Sequence, residues 1–380
     1  MSRFLLPPVL YVAFVSAAAT SSTVPSVLYS PSLLTFPPTT PLLIKPSPTS
    51  PDFPHWTSNS LADDLPHGLE IEHKSNHAES THGSSQPFTF SAFDPQSTLT
   101  GQCSSCHPIP HDRQTLPLKE AITAIAPPFF AKLSPKSLPT LLAEQVTVLA
   151  DAVIAGADSY DYDVWIGTEN WRTHTHYDFQ HNYYHQIHGR KHFILSPPAT
   201  AAMYPHLHPR YRQTKAVGRE GLEVTVEEGE ILYIPPMWLH TATTASEFSI
   251  SIAVCKEAVA EDIALTLEEF AIPVESEWGA GTTRAVLRRY FEGIDGGAVE
   301  EVEGRYDEFE GVCDSGGDSV ELSEIDWENV ANKAAAIKAY IEAQEIEPPV
   351  ARLLLANYFE NVAAFVLPID QVVQLFTAEC

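Results

Sequence analysis

Two stretches of the sequence decide the fold: THTHYDFQHNYYHQIHGRKHFILSPP at residues 173–198 and GEILYIPPMWLH at residues 229–240. Both consist of short β-rich runs that glycine and proline separate. Similar runs occupy residues 164–166, 222–226 and 248–254, and in the last of these bulky apolar residues alternate with serine and alanine. Such alternation is typical of a strand with one buried face. Closely spaced short strands predict a mainly β core, built as a sandwich or barrel.

The first stretch also carries candidate metal ligands. Residues two apart on a strand point the same way, so His176 and Asp178 can reach one ion. His240 lies two strand-like runs further on and can return from a neighbouring strand. Two imidazoles and one carboxylate on one side of an ion favour non-haem Fe(II) and oxygen chemistry. By alternation His174 shares the face of His176, so a His174–His176 pair with another carboxylate stays open.

Lys191 follows His176 by fifteen residues, just past the Gly189-Arg190 turn. A hairpin that returns at this turn would place the lysine ammonium near the metal site. A cation in an apolar pocket suits the far carboxylate of a dicarboxylate such as 2-oxoglutarate. Without the three metal ligands, a lysine exposed at a strand edge would be the plainer interpretation.

Residues 164–254 resemble the JmjC, or cupin-like, family of 2-oxoglutarate oxygenases, and most of all the subgroup that includes the asparaginyl hydroxylase acting on hypoxia-inducible factor. The motifs that carry the resemblance are Thr173-x-x-His176-x-Asp178, Asn182, Gly189-Arg190-Lys191, the run from Phe193 to Pro198, the run from Gly229 to Pro236, and Trp238-x-His240. The resemblance implies a double-stranded β-helix. It assigns Fe(II) to His176, Asp178 and His240, and the co-substrate 2-oxoglutarate to Lys191, Thr173 and Asn182.

Two departures from the family pattern concern the co-substrate. The subgroup often has an asparagine on the last strand, where this chain reads Ser251-Ile252-Ala253-Val254. Strict alternation also puts Thr173 on the face opposite His176.

The expected activity is that of a dioxygenase that hydroxylates a protein side chain. The alternatives are an N-methyl demethylase of the JmjC type and a non-catalytic, cupin-type metal-binding module.

The N-terminal part of the chain has another composition. Residues 1–20 combine Arg3, an apolar run and small residues, which predicts a signal or targeting segment for the secretory pathway or an organelle. Residues 21–85 are rich in Pro, Ser and Thr, and we expect a disordered leader there. The catalytic domain is expected over residues 86–256, with helices at 116–132 and 138–155. Cys103 and Cys106 fit a redox disulfide, a zinc half-site or free thiols better than haem attachment.

Residues 257–380 are predicted to be helical. Helical patterns cover residues 257–270, 282–291, 327–344 and 350–365, and the acidic, glycine-rich stretch 293–326 predicts an exposed loop. An apolar stripe recurs at helical spacing: Val350, Leu353, Leu354, Tyr358 and Val362. We expect this stripe to pack on its own chain, and a homodimer through these C-terminal helices is the alternative.

The formal net charge of −27 limits which classes of partner the protein is expected to bind. Such a surface repels phosphate backbones, so nucleic acid is not expected, whereas a protein or peptide substrate, and above all a basic one, fits. No stretch reaches about 18 uninterrupted apolar residues, so no membrane span is expected in the mature chain.

Overall fold

The computed structural model describes residues 23–30, 38–48, 50, 54–65, 69–74, 111–120, 129–133, 138–154, 160–173, 175–203, 213–214, 221–306 and 322–377. Residues 1–20, Cys103, Cys106 and His174 lie outside these ranges, so the predictions made for them stay predictions.

The described strands form two sheets. They are β1 (Ser26–Leu28), β2 (Leu42–Lys45), β3 (Leu69–Lys74), β4 (His111–Leu116), β5 (Phe129–Leu133), β6 (Tyr160–Thr168), β7 (Thr175–His176), β8 (His181–His188), β9 (Lys191–Ser196), β10 (Gln213–Thr214), β11 (Leu222–Val226), β12 (Ile231–Ile234), β13 (Leu239–Thr244) and β14 (Phe248–Lys256). The larger sheet runs β1-β2-β12-β8-β14-β6-β5-β3-β4, and the smaller one runs β10-β7-β13-β9-β11.

The two sheets face each other across a common apolar core. Tyr184 and Leu232 from the larger sheet pack in one buried cluster with Phe193, Leu195 and Ala242 from the smaller sheet. Strands close in sequence, such as β8 and β9, lie in different sheets, which is the arrangement of a double-stranded β-helix. The mainly β fold predicted from residues 164–254 is therefore confirmed.

Described residues that precede β6 cover the outer face of the larger sheet. Helices α1 (Ser58–Asp64) and α2 (Thr140–Val153) contribute Leu61 and Val146 to a second buried cluster. Ile44 of β2 lies in this cluster and pairs with Ile231 of β12. The expectation of a disordered leader over residues 21–85 is thus wrong for the described part of that range. The disorder prediction relied on the high proline content of this range. The one short apolar run there forms β2, and it does so by pairing with β12, which is distant in sequence.

The helix expected over residues 116–132 is likewise wrong at its ends. Residues 111–116 form β4, and residues 129–133 form β5, which pairs with β6 through Phe130 and Gly167. This pairing joins residues far apart in sequence, so a local pattern does not reveal it. The helix expected over 138–155 is confirmed as α2.

The C-terminal region is helical, as predicted. Its helices are α3 (Val259–Glu269), α4 (Ala280–Tyr306), α5 (Trp327–Glu342), α6 (Pro348–Val366) and α7 (Ile369–Phe376). The exposed loop expected from residue 293 is wrong for residues 293–306, where α4 continues past a break at Asp295 to Tyr306 and buries Ile294, Val299 and Val302. In the described part of the chain, no helix has the length and apolar character needed to cross a membrane.

Candidate metal centre

The smaller sheet brings His176, Asp178 and His240 together. His176 of β7 lies directly opposite His240 of β13, and their ring centroids are 4.2 Å apart. Asp178 follows β7 by two residues, and its Oδ2 lies 3.6 Å from Nε2 of His240. One ligand atom from each of the three residues lies within 4.8 Å of the others. The predicted ligand set is therefore assembled around one point, although the bound metal itself stays a prediction.

A tight turn before β13 fixes the relative position of these side chains. Met237 has a left-handed backbone with φ 66°, and its amide donates to the carbonyl oxygen of Asp178 at 2.7 Å. The Trp238 amide closes the turn by donating to Pro235 at 3.3 Å. Because the Met237 side chain is fully buried, the turn is held by packing as well as by hydrogen bonds.

His240 is prepared as a ligand by its second ring nitrogen. Nδ1 lies 3.0 Å from the carbonyl oxygen of Trp238. A carbonyl only accepts, so Nδ1 carries the proton and Nε2 presents its lone pair towards Asp178. Burial, followed by the proximity of His176, lowers the pKa of His240 to about 4. The imidazole is therefore neutral near neutral pH, which is the form that binds metals.

The three ligands differ in exposure. The side chain of His240 is 5% exposed, whereas that of Asp178 is 31% exposed. The centre thus has a closed side against the sheet and an open side towards solvent. Two imidazoles and a carboxylate with one side open to solvent fit a non-haem Fe(II) site, in which further positions take co-substrate and oxygen.

Lys191 is positioned by the β8–β9 turn. Gly189 has φ +69°, and a Cβ atom there would come within 2.2 Å of the carbonyl oxygen of Phe248, so only glycine fits. The turn aims Lys191 into the space between the sheets, where it is 5% exposed and its Nζ donates to the hydroxyl of Tyr184 at 2.5 Å. Burial lowers the pKa of Lys191 to about 7. Among the described residues, Lys191 forms no ion pair.

Lys191 and the metal ligands lie on neighbouring strands. Lys191 is opposite Thr244, and His240 is opposite Leu195, on the same pair of strands. Four residues of β13 separate the two rows, which is roughly 13 Å along the strand. A lysine side chain and a five-carbon diacid together span such a distance.

The two other predicted co-substrate residues are placed differently. The Thr173 hydroxyl accepts a hydrogen bond from the Ala242 amide at 2.9 Å, so it is engaged with the backbone of β13. Asn182 is buried on β8 opposite Cys255, and its Oδ1 has no hydrogen bond. A co-substrate role for Thr173 and Asn182 stays a prediction.

Sequence reasoning missed two side chains around Lys191. The Tyr184 hydroxyl accepts from Lys191 and forms a short hydrogen bond with Ser251. Tyr184 and Ser251 are 67 residues apart, and only the pairing of β8 with β14 brings them together. Tyr184 lies two residues after Asn182, and alternation could have placed it on the inner face only once the face of β8 was known.

Comparisons with known proteins locate the same domain. A family model described as a cupin-like domain matches residues 130–254. Residues 130–254 form a cupin-like domain. The match contains His176, Asp178, Lys191 and His240, so the family resemblance predicted from the motifs is confirmed for this part of the chain.

Relatives of the cupin-like domain share only this part. JmjC domain-containing protein D of Dictyostelium discoideum is 34% identical over 110 residues, which are 24% of this chain and 25% of that protein. HSPB1-associated protein 1 homolog of Danio rerio is 31% identical over 126 residues, which are 28% of each chain. Each match therefore spans about a quarter of the relative's length.

A solved structure, that of the ribosomal oxygenase YcfD from Escherichia coli, matches with a TM-score of 0.39 and 11% identity over 65% of this chain and 56% of that one.

Proposed function

We propose that this protein is an Fe(II)- and 2-oxoglutarate-dependent dioxygenase that hydroxylates a side chain of a protein or peptide. The main support for this function is the combination of two features in one barrel. Three ligand atoms from His176, Asp178 and His240 lie within 4.8 Å of one another, and the buried ammonium of Lys191 lacks an anionic partner among the described residues. A metal-binding barrel without a dicarboxylate would leave Lys191 buried at a cost and without a function.

Different residues would bind the metal and the far end of the co-substrate. His176, Asp178 and His240 would hold Fe(II), and Lys191 would hold the far carboxylate of 2-oxoglutarate. When bound, iron and 2-oxoglutarate together would activate O2 and oxidise a C–H bond of the substrate, with release of succinate and CO2. The hydrogen bond of His240 to Trp238 keeps the metal-binding nitrogen oriented, and the Met237 turn keeps Asp178 beside it.

The acidic residues of one cavity and the negative net charge favour a basic peptide as the substrate. A cavity of about 230 Å³ is lined by Tyr160, Asp161, Gln180, Cys255, Glu257, Glu261, Asp262 and Leu265. Burial and the charge of nearby Asp178 raise the pKa of the Cys255 thiol, which lines this cavity, and this supports a position of the acidic cavity near the metal centre. Together with the net charge of −27, it supports a substrate that carries lysine or arginine near the modified side chain.

The test is turnover with peptide pools of defined charge. Purified protein is incubated with Fe(II), 2-oxoglutarate and air, succinate is quantified, and each peptide is weighed by mass spectrometry. We expect succinate to form in proportion to peptides that gain one oxygen atom, with basic pools ahead of acidic ones. The His176→Ala variant is the matched control and should form neither product.

The same assay separates the rival activities. Loss of a methyl group from methylated peptides, with formaldehyde, would establish an N-methyl demethylase instead. Metal and 2-oxoglutarate binding without succinate from any pool would favour a non-catalytic cupin-type module.

A further inference from the structure

Asp178 lies outside the strands, unlike the two histidine ligands. His176 and His240 are opposite each other in the β7–β13 pair. Residues 177–180 form the link that crosses from β7 in the smaller sheet to β8 in the larger sheet, and they belong to neither strand. Connecting segments move more than the strands that they join. The position of the Asp178 carboxylate therefore depends on what anchors this link.

The first anchor of the link is apolar and comes from the C-terminal helices. Tyr177 is buried in the cluster that also contains Val286 of α4 and Phe359 of α6, and Phe179 packs against the same cluster. The ring centroids of Tyr177 and Phe179 are 6.3 Å apart. Asp178 thus lies between two aromatic residues that contact the helical cluster.

The second anchor of the link is a hydrogen bond to helix α3. Nε2 of Gln180 donates to Oε1 of Glu261 at 2.8 Å. Because the acceptor is a carboxylate, this hydrogen bond is stronger than one between neutral groups. Helix α3 is itself packed in place, since Ile263 and Leu267 are buried in the helical cluster. The link is therefore tied to α3 two residues after Asp178.

We propose that Gln180 and Glu261 are positioning residues that hold the Asp178 carboxylate at the metal centre. The barrel places the two histidine ligands, whereas the aromatic contacts of Tyr177 and Phe179 and the hydrogen bond to α3 place the carboxylate. The C-terminal helices are in this way part of the metal centre. This inference rests on the proposed function, since it requires that the three ligands bind a metal.

The test is a double-mutant cycle in metal affinity. Mn(II) is titrated calorimetrically into the full-length parent, Gln180→Ala, Glu261→Ala and the double variant. Each single variant should weaken Mn(II) binding by about fivefold, which is less than the loss of a hydrogen bond made directly to a metal ligand costs. The double variant should bind no more weakly than the single variants, because all three lack the same hydrogen bond.

Two further variants separate positioning from charge. Glu261→Gln keeps an acceptor oxygen for Gln180 and removes only the charge, so it should bind Mn(II) nearly as the parent does. Asp262→Ala removes a carboxylate from the same helix and the same acidic cavity but leaves the Gln180–Glu261 hydrogen bond in place, and it should also bind Mn(II) as the parent does. The electron paramagnetic resonance spectrum of bound Mn(II) should change in Gln180→Ala and Glu261→Ala and stay parent-like in these two controls. Thermal melting without metal shows whether every variant is folded.

The outcomes distinguish this inference from the proposed function. If the parent does not bind Mn(II), or if His176→Ala binds it equally well, the metal centre fails, and this inference fails with it. If the parent binds Mn(II) through His176 but Gln180→Ala and Glu261→Ala bind it like the parent, only the positioning role is overturned. Equal weakening in Asp262→Ala and Glu261→Ala would also overturn it, because that result indicates an effect of cavity charge. Losses that add in the double variant would show that Gln180 and Glu261 act separately, which contradicts the inference.

Discussion

His176 and His240 are held by different means. His176 has its position from the pairing of β7 with β13, whereas His240 also has a hydrogen bond from Nδ1 to Trp238. Neither imidazole belongs to the buried apolar clusters of the described residues. We therefore expect that the metal centre can be altered without loss of the fold.

Removal of one ligand should therefore abolish metal binding while the protein stays folded. His176→Ala, Asp178→Ala and His240→Ala should each lose Mn(II) or Fe(II) affinity by at least about tenfold and shift the melting temperature of the metal-free protein by only a few degrees. His192→Ala is the control, because His192 lies on β9 near Glu223 and outside the centre. Calorimetric metal titration measures the effect, and parent-like affinity in any of the three variants would contradict the assignment.

The low pKa of Lys191 predicts a pH dependence of co-substrate binding. Burial lowers this pKa to about 7, so the ammonium is lost above that pH, and the bound dicarboxylate has to restore it. 2-Oxoglutarate affinity should fall as pH rises from 7 to 9, by up to about tenfold per unit, with proton uptake on binding. Titrations in buffers of different ionisation enthalpy measure this uptake.

Lys191→Met is the matched variant for this pH dependence. It keeps a long apolar stem but no charge, so its weaker binding should be flat over the same pH range. Lys191 also affects how the free energy of unfolding depends on pH. Its pKa in the folded state lies below its ordinary value of 10.5, so the unfolded chain binds more protons between about pH 7 and 10.5. The contribution of Lys191 to stability therefore rises with pH in that window. A pH-independent affinity of the parent would show that Lys191 does not contact the co-substrate.

At the scale of elements, the strands of the barrel could be predicted because their signals are local. Gly189 marks its turn through a positive φ, and the alternation from Phe248 to Val254 marks a one-sided strand. The Lys191–Tyr184–Ser251 contact and the strands β2 and β5 could not be predicted in this way. Each depends on a partner far along the chain, and such a partner leaves no trace in the pattern of a short segment.

The N-terminal elements should be required for a stable barrel. Deletion of residues 1–85 removes Ile44 from its place beside β12 and exposes the outer face of the larger sheet, where Trp56 and Leu61 are buried. Each large apolar side chain lost from such a core costs about 2–5 kcal/mol, so the truncated chain should unfold or melt far below the parent. Deletion of residues 1–22 alone is the control. A truncated chain from residue 86 with parent-like melting would contradict the packing described above.

Across the whole molecule, the C-terminal helices share one buried cluster with residues next to the metal ligands. Leu353 and Leu354 of α6 are buried among residues of α4, α5 and α7, together with Tyr358 and Val362. Tyr177, which lies between His176 and Asp178 in sequence, and Met237 of the turn before β13 belong to the same cluster. The apolar stripe of α6 therefore packs within its own chain, which was the preferred expectation, and a homodimer stays a proposal that needs other residues.

Leu354→Glu should lower the melting temperature without changing the oligomeric state. A carboxylate at a position that is 1% exposed loses apolar burial and is desolvated, which costs several kcal/mol. Phe365→Glu, at a position that is 75% exposed on the same helix, is the control and should melt like the parent. Light scattering combined with thermal melting tests this. A parent dimer that Leu354→Glu splits without loss of stability would instead place α6 in an interface.

We propose that His176, Asp178 and His240 hold an iron to which 2-oxoglutarate binds. The most direct measurement is anaerobic visible absorption of the protein titrated with Fe(II), then with 2-oxoglutarate. A new charge-transfer band should arise in the parent only when both are present, saturate at one iron per chain, and be absent from His176→Ala. No band in the folded parent, or an equal band in His176→Ala, would contradict it.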